Sequence, residues 1–234
     1  MSIGKGLPTE NPPTAATRFQ GLEKIDAART MQQKKPVKRF ILLLSGALAL
    51  TTWAAPVVLE ENFSGPLSTN WFWGLGTWTT QDGVLRGFES GPRRHGPVKM
   101  HKCALKDAVV ECEFRLEGKA TFVGVIFNGS QERGHLFHVV AGKDELRLLA
   151  HPQKGKTLEP AKQPAQLATG TWHRVRIEFR GENLTAMVDE QKLTAQHPCI
   201  AEEKVSFGLG GDSGGPTGEK AGALEFRKLK ITQL

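Results

Sequence analysis

The 234-residue chain contains no tyrosine, three cysteines and four methionines. Three cysteines are too few to staple a disulfide-framed mini-domain, so a hydrophobic core has to hold the fold. No segment carries an apolar stripe at helical spacing, which argues against a helical bundle. No unit recurs at a fixed period, which argues against a propeller or a β-helix. Charged residues make up 24% and hydrophobic residues 39%. That balance excludes a disordered chain and a multi-span membrane protein. What the chain does hold is 26 glycines, 12 phenylalanines and five tryptophans. Such a mixture fits many turns between short strands.

The formal charge of +7 invites a nucleic-acid reading. Its distribution removes that reading. Residues 1–54 carry 8 Lys/Arg against 3 Asp/Glu, so five of the seven charges lie there and residues 55–234 carry about +2. Nucleic acid is therefore not expected as a partner.

Within that segment, Lys34, Lys35, Lys38 and Arg39 directly precede the apolar run 40–50, and Thr52, Trp53, Ala54 and Ala55 follow it. A basic stretch, a short apolar core and small residues describe a secretory signal peptide. Cleavage after Ala54 is favoured over cleavage after Ala55, which would put Trp53 two residues before the cut and Pro56 just beyond it. The rival is a single membrane anchor over 40–59, near the ~20 residues needed to span. Residues 1–30 are Pro-rich and polar. They read as a start assigned 30 residues too early, with Met31 as the true start, or as a disordered cytoplasmic tail. The expected organisation is thus 1–30, a signal peptide over 31–54, and one domain over 55–234, exported to the periplasm or the cell exterior. Membrane contact would come only through an uncleaved signal segment.

The remaining chain reads as strands of period two. Over 108–116, Ala108, Val110, Cys112, Phe114 and Leu116 share one face, with Glu111, Glu113 and Arg115 on the other. Over 171–180, Val175, Ile177 and Phe179 face one way and Trp172, Arg174 and Arg176 the other. Residues 120–127 are apolar on both faces, as in a doubly covered strand. Asp82-Gly83 between two such runs is a strong hairpin signal. The stretch 152–166 reads as an exposed loop. Ten to thirteen strands with short turns predict an all-β sandwich or barrel.

The order of signals is specific: Glu61, Asn62 and Phe63, then Trp71, Gly76 and Trp78, then Asp82-Gly83, then Gly170 and Trp172 opening a long hairpin to Val188 and Asp189, and a last strand over 224–231. It resembles the concanavalin A-like lectin/glucanase jelly roll. Within that class it is similar to the bacterial 3-keto-disaccharide hydrolase-like domains, loosely labelled glycoside hydrolase family sixteen. The resemblance implies a two-sheet antiparallel jelly-roll sandwich whose concave face or rim handles carbohydrate, with Trp78 and Trp172 as packing residues. Fold alone does not give activity.

Retaining glycoside hydrolysis needs two carboxylates about 5–5.5 Å apart. Glu111 and Glu113 are the weak catalytic candidates. However, Leu116 stands where the third acid of the family-sixteen pattern belongs, and exposed carboxylates paired with Arg115 and Lys119 explain the two better. The run Gly211, Asp212, Ser213, Gly214, Gly215 and Pro216 spells the trypsin-like protease signature. That reading is rejected: no histidine sits in the required context, and too little chain follows. His135 and His138, three apart on a strand, should face opposite sides and share no metal. Asp82, Asp189 and Asp212 are scattered and form no oxygen-rich loop of the kind Ca²⁺ takes, so no cofactor is implied. Cys103 and Cys112 lie symmetrically about a turn; a disulfide and buried thiols are both compatible with this.

The tryptophans are the better lead, since sugar C–H faces stack on such rings. Trp71 and Trp73, two apart, are the candidate platform, with Arg93, His95 and Asn128 as polar partners. The expected function is glycan binding. The alternatives are a 3-keto-disaccharide-type glycoside hydrolase and a non-sugar adhesion or scaffold module.

Overall fold

A computed structural model describes residues 55–91, 95–214 and 221–234. The expected signal segment, residues 31–54, lies outside the described residues, as does the tail before it. No helix among the described residues is long and apolar enough to cross a membrane.

Among the described residues, period-two alternation becomes fifteen strands. They are β1 Val57–Glu61, β2 Trp73–Leu75, β3 Thr77–Gln81, β4 Val84–Phe88, β5 Val98–Leu105, β6 Ala108–Gly118, β7 Phe122–Asn128 and β8 His135–Gly142. After them come β9 Glu145–Ala150, β10 Leu158–Pro164, β11 Trp172–Arg180, β12 Asn183–Val188 and β13 Gln191–Gln196. A single helical turn, α1 Pro198–Ala201, precedes β14 Lys204–Asp212 and β15 Gly222–Gln233.

The strands form two antiparallel sheets. The first runs β13-β12-β11-β6-β15-β4-β3, with β1 also on β15. The second runs β10-β9-β8-β7-β14-β5-β2. Turn chemistry closes the hairpins. Asp82 and Gly83 both take positive φ, 52° and 76°, the type I′ geometry whose twist matches the flanking strands.

The alternating faces meet between the sheets. From the first sheet Val110, Phe114, Ile177 and Phe179 are fully buried; from the second, Phe127, Phe137, Leu148 and Phe207 are. Phe127 stacks on Phe137 at 4.6 Å, and Phe179 meets Phe127 edge-on at 5.1 Å across the sandwich. Such a cluster excludes water from both sheets, and truncating one ring to Ala costs about 3–5 kcal/mol. One charge sits inside it. Lys204 is fully buried, donates to the carbonyls of Lys106 and Ile200, and lies 4.4 Å from the Phe179 ring centroid. Burial lowers its pKa to about 8.

Three expectations change. The stretch 152–166 is not all loop, because β10 pairs with β9 at the sheet edge. Pro160 and Pro164 lie in it, and an edge is where a strand tolerates residues without an N–H. Cys103 and Cys112 do not face each other, because the turn after Leu105 carries the chain from β5 in one sheet to β6 in the other. All three cysteines are free thiols. Finally, β7 is not covered on both faces. Val123, Val125 and Phe127 enter the core, while Phe122 and Ile126 are half-buried on the outer face.

Candidate functional site

That outer face holds a broad depression. Strand register places Trp73 beside Met100, Met100 beside Gly208, Gly208 beside Ile126, and Ile126 beside His138. The row crosses five strands, about 19 Å at the usual inter-strand spacing. At its centre Gly208 has no side chain of its own, and its neighbour fills the gap. A Cβ there would lie 2.4 Å from Met100 Sδ, so Met100 occupies the space over the glycine. In the neighbouring row Gly210 and Gly124 pair, and the space over Gly124 is open, with no atom nearer than 3.9 Å to an added Cβ.

The result is a cavity of about 500 Å³, within the size range of small-molecule sites. Phe72, Trp73, Phe122 and Ile126 give it apolar walls, and His95, Asn128, His135 and His138 supply the polar groups. Phe72 and Trp73 are 49% and 48% exposed, so their ring faces remain accessible to a ligand. A second cavity of about 290 Å³ adjoins it, sharing Asn128 and His135 as a common wall.

Hydrogen bonds set what these groups offer. His95 Nδ1 is 2.7 Å from the Gly96 carbonyl. A carbonyl only accepts, so Nδ1 carries the proton and Nε2 is an acceptor. His135 Nδ1 is 2.7 Å from Asn128 Oδ1, which leaves the Asn128 amide N–H groups as donors. The cavity therefore presents both hydrogen-bonding polarities beside aromatic faces.

His135 and His138 depart from the expectation of opposite faces. Their ring centroids are 4.7 Å apart. The register shifts where Asn128 pairs with His135 but Phe127 pairs with Phe137, leaving Leu136 extra. This β-bulge flips the alternation by one residue. His151 closes the group, 4.6 Å from His138 and 5.4 Å from His135. Burial pushes the His138 pKa down to about 3, helped by the charges of His135 and His151. Among the described residues no group of three or more His, Cys, Asp or Glu is arranged to hold a metal ion.

Of the residues expected at a binding site, Trp73, His95 and Asn128 line one cavity. Arg93 lies outside the described residues. Trp71 is corrected: it is a core residue, 4% exposed, packed on Phe63, His101 and Phe207. Its N–H closes a turn onto the Ser68 carbonyl, so strand alternation begins only after it. Phe72, Phe122, Ile126 and His138 had not been expected there. Trp78 and Trp172 are packing residues: Trp78 stacks on Phe226 at 6.4 Å, and Trp172 lies under the guanidinium groups of Arg115 and Arg227.

Glu111 and Glu113 lie on β6, in the other sheet. Glu113 bonds Arg227 at 2.6 Å and Lys228 at 3.0 Å. Desolvation would raise its pKa, but those hydrogen bonds outweigh it and hold the carboxyl below its ordinary value. Glu111 sits 4.0 Å from Arg176. Neither borders the cavity, and among the described residues no Asp or Glu lines it. Ser213 is buried and accepts the Glu89 backbone N–H at 3.0 Å. The adjacent Gly214 (φ +78°) lies so close to the Lys119 carbonyl that no side chain fits. Residues 211–214 of the protease-like run are a packed crossing point, and Gly215 and Pro216 lie outside the described residues.

No family model matches the sequence, and no curated protein matches it significantly. Solved structures do match. A Bacillus subtilis protein of unknown function with a galectin-like fold aligns at a TM-score of 0.59 and 9% identity, over 77% of this chain and 97% of its own. A laminarinase from Flavobacterium sp. UMI-01 aligns at 0.57 and 16% identity, over 76% and 100%. The carbohydrate-binding module CBM66 from Bacillus subtilis aligns at 0.52 and 15% identity, over 68% and 92%. The fold is a concanavalin A-like jelly roll. At these identities the likeness is one of architecture, and the chemistry has to be argued from the residues of the groove.

Proposed function

We propose that this chain is an exported carbohydrate-binding sandwich that holds a saccharide on the outer face of its second sheet. The observation that carries the reading is the composition of the groove. Exposed Trp73 and Phe72 flank a largely apolar cavity with a few hydrogen-bonding groups and, among the described residues, no carboxylate. Aromatic faces with sparse polar partners suit sugar rings. Hydrolysis by paired carboxylates has no pair to use there. The carbohydrate-binding module and the laminarinase with which the chain shares its architecture are in keeping with a saccharide ligand. Export rests on the pattern of residues 31–54, and the expected mature chain begins at Ala55.

Binding to a glycan array, run beside a reducing-sugar release assay on the glycans that bind, tests the reading. Binding without release is the expected result. Release that disappears in Glu111→Gln or Glu113→Gln would establish the glycoside hydrolase alternative instead. N-terminal sequencing of the exported protein tests the cleavage site.

A further inference from the structure

Resting on the glycan-binding reading, we propose that the groove takes an extended saccharide bearing an anionic substituent, a uronate carboxylate or a sulfate ester, which docks in the second cavity against His151 and Lys154. The two cavities share Asn128 and His135, so a single ligand can run from Trp73 past His135 to Thr157. Their chemistry differs. The first offers ring faces. The second has no aromatic side chain other than imidazole, and is lined by His151, Gln153, Lys154 and Thr157 beside backbone at Gly134 and Gly155. A neutral sugar ring suits the first end and a charged oxygen group the second.

The charges agree. Neither cavity has an Asp or Glu among its described lining residues. The nearby Glu202 is held by both forks of Arg133, at 2.7 Å each. Arg133 also donates to the His135 and His151 carbonyls, so it braces the site while it pairs with Glu202. Lys154 has no ion pair among the described residues. Its ammonium reaches only the Gln131 carbonyl, at 3.4 Å. Its stem passes over Gly134, where an added Cβ would lie 3.7 Å from Lys154 Cγ.

A second observation is independent of charge. His151 is 8% exposed, and its Nε2 has no hydrogen-bond partner, while Nδ1 lies 3.2 Å from the Thr157 hydroxyl. A buried nitrogen left without a partner is costly. His151 lines the second cavity, so a turn of the shielded ring toward a ligand oxyanion there supplies one, and a charge-assisted hydrogen bond is about twice as strong as a neutral one.

The test is an array of matched oligosaccharides that share a backbone and differ only in charge: uronates against their methyl esters, and sulfated chains against unsulfated ones. The acidic members should bind about tenfold more tightly, the equivalent of one partly buried ion pair. That preference should shrink as salt is raised from low to molar concentration. Lys154→Gln, at an exposed position, should bring the ratio close to one, with circular dichroism confirming an intact fold. The uronate and sulfate arms identify the group. Equal binding of neutral and acidic members, or a ratio unmoved by Lys154→Gln, overturns the inference and leaves glycan binding standing. Failure of every member to bind overturns both.

Discussion

The imidazole centroids of His135 and His138 lie 4.7 Å apart, on one face of a strand whose alternation should separate them. The extra residue Leu136 accounts for this, and a pH dependence follows from it. The groups facing the pair are His151, Arg133 with its partner Glu202, Lys154 and the buried Cys199. Desolvation lowers the pKa of all three histidines, that of His138 to about 3. The folded state then binds fewer protons than the unfolded chain, so stability is full above about pH 6.5 and falls as pH drops toward 3. Urea midpoints at pH 7 and pH 5 should show the loss for the wild type and a flatter profile for His138→Phe. The carboxylates Glu113 and Glu145, with lowered pKa values, add their loss only below about pH 4.5. Parallel profiles between pH 7 and 5 would refute the assignment.

Trp71 and Trp73 should separate stability from binding. Trp71→Ala empties a site between Phe63, His101 and Phe207 and should cost about 3–5 kcal/mol. Trp73→Ala removes a half-exposed ring and should change stability by no more than about 0.5 kcal/mol. Glycan affinity should nevertheless fall about tenfold, as expected for the loss of one stacking face. Thermal melts and titration calorimetry on the same two proteins check both halves. A Trp73→Ala variant with unchanged affinity would move the ligand elsewhere.

The strands were legible because one physical rule, period-two burial, governs them. The faces of β6 and β11 and the Asp82-Gly83 hairpin followed directly from it. The groove was half legible. Trp73 was singled out as a sugar-stacking ring and His95 and Asn128 as its polar partners, and the three line one cavity. Phe122 and Ile126 were missed because an apolar residue on a strand looks the same whether it meets a second layer or a ligand, and His138 was missed because simple alternation puts it opposite His135. The signal that could have told them apart was present: Gly124, Gly208 and Gly210 leave side-chain-free positions on that same face. Leu136 defeated the alternation rule, since a bulge depends on the partner strand and leaves no local mark.

Lys204 sets the alkaline behaviour. Burial lowers its pKa to about 8, so between pH 8 and about 10.5 the unfolded chain holds a proton that the fold does not. Its contribution to stability therefore rises with pH across that interval. Cys103 and Cys112 act oppositely: burial raises both thiols to about 12, and their contribution falls above about pH 9. No tyrosine titrates in the same range, because the chain has none. Lys204→Met removes only the opposing gain. Between pH 7.5 and 9.5 the variant should lose more stability than the wild type by urea titration, and equal losses would place the proton elsewhere.

Gly124 offers the sharpest test of where the ligand lies. It sits on β7 between Phe122 and Ile126, both of which line the cavity, and pairs with Gly210 and Val140. A Cβ built there meets nothing nearer than 3.9 Å, so a side chain can be added without moving backbone. Gly208 and Gly210 do not allow this, because their added atoms would strike Met100 and the Pro97 carbonyl. Gly124→Leu should therefore keep the melting temperature and raise the floor of the groove by a side chain, displacing a bound sugar ring. Affinity should drop by at least about a hundredfold, since overlap with even a few ligand atoms exceeds the ~3 kcal/mol that such a factor represents. Filling a cavity without disturbing the sandwich also distinguishes this face from the Glu113–Trp172 face of the opposite sheet. If Gly124→Leu binds glycans like the wild type, the outer face of the second sheet is not the site.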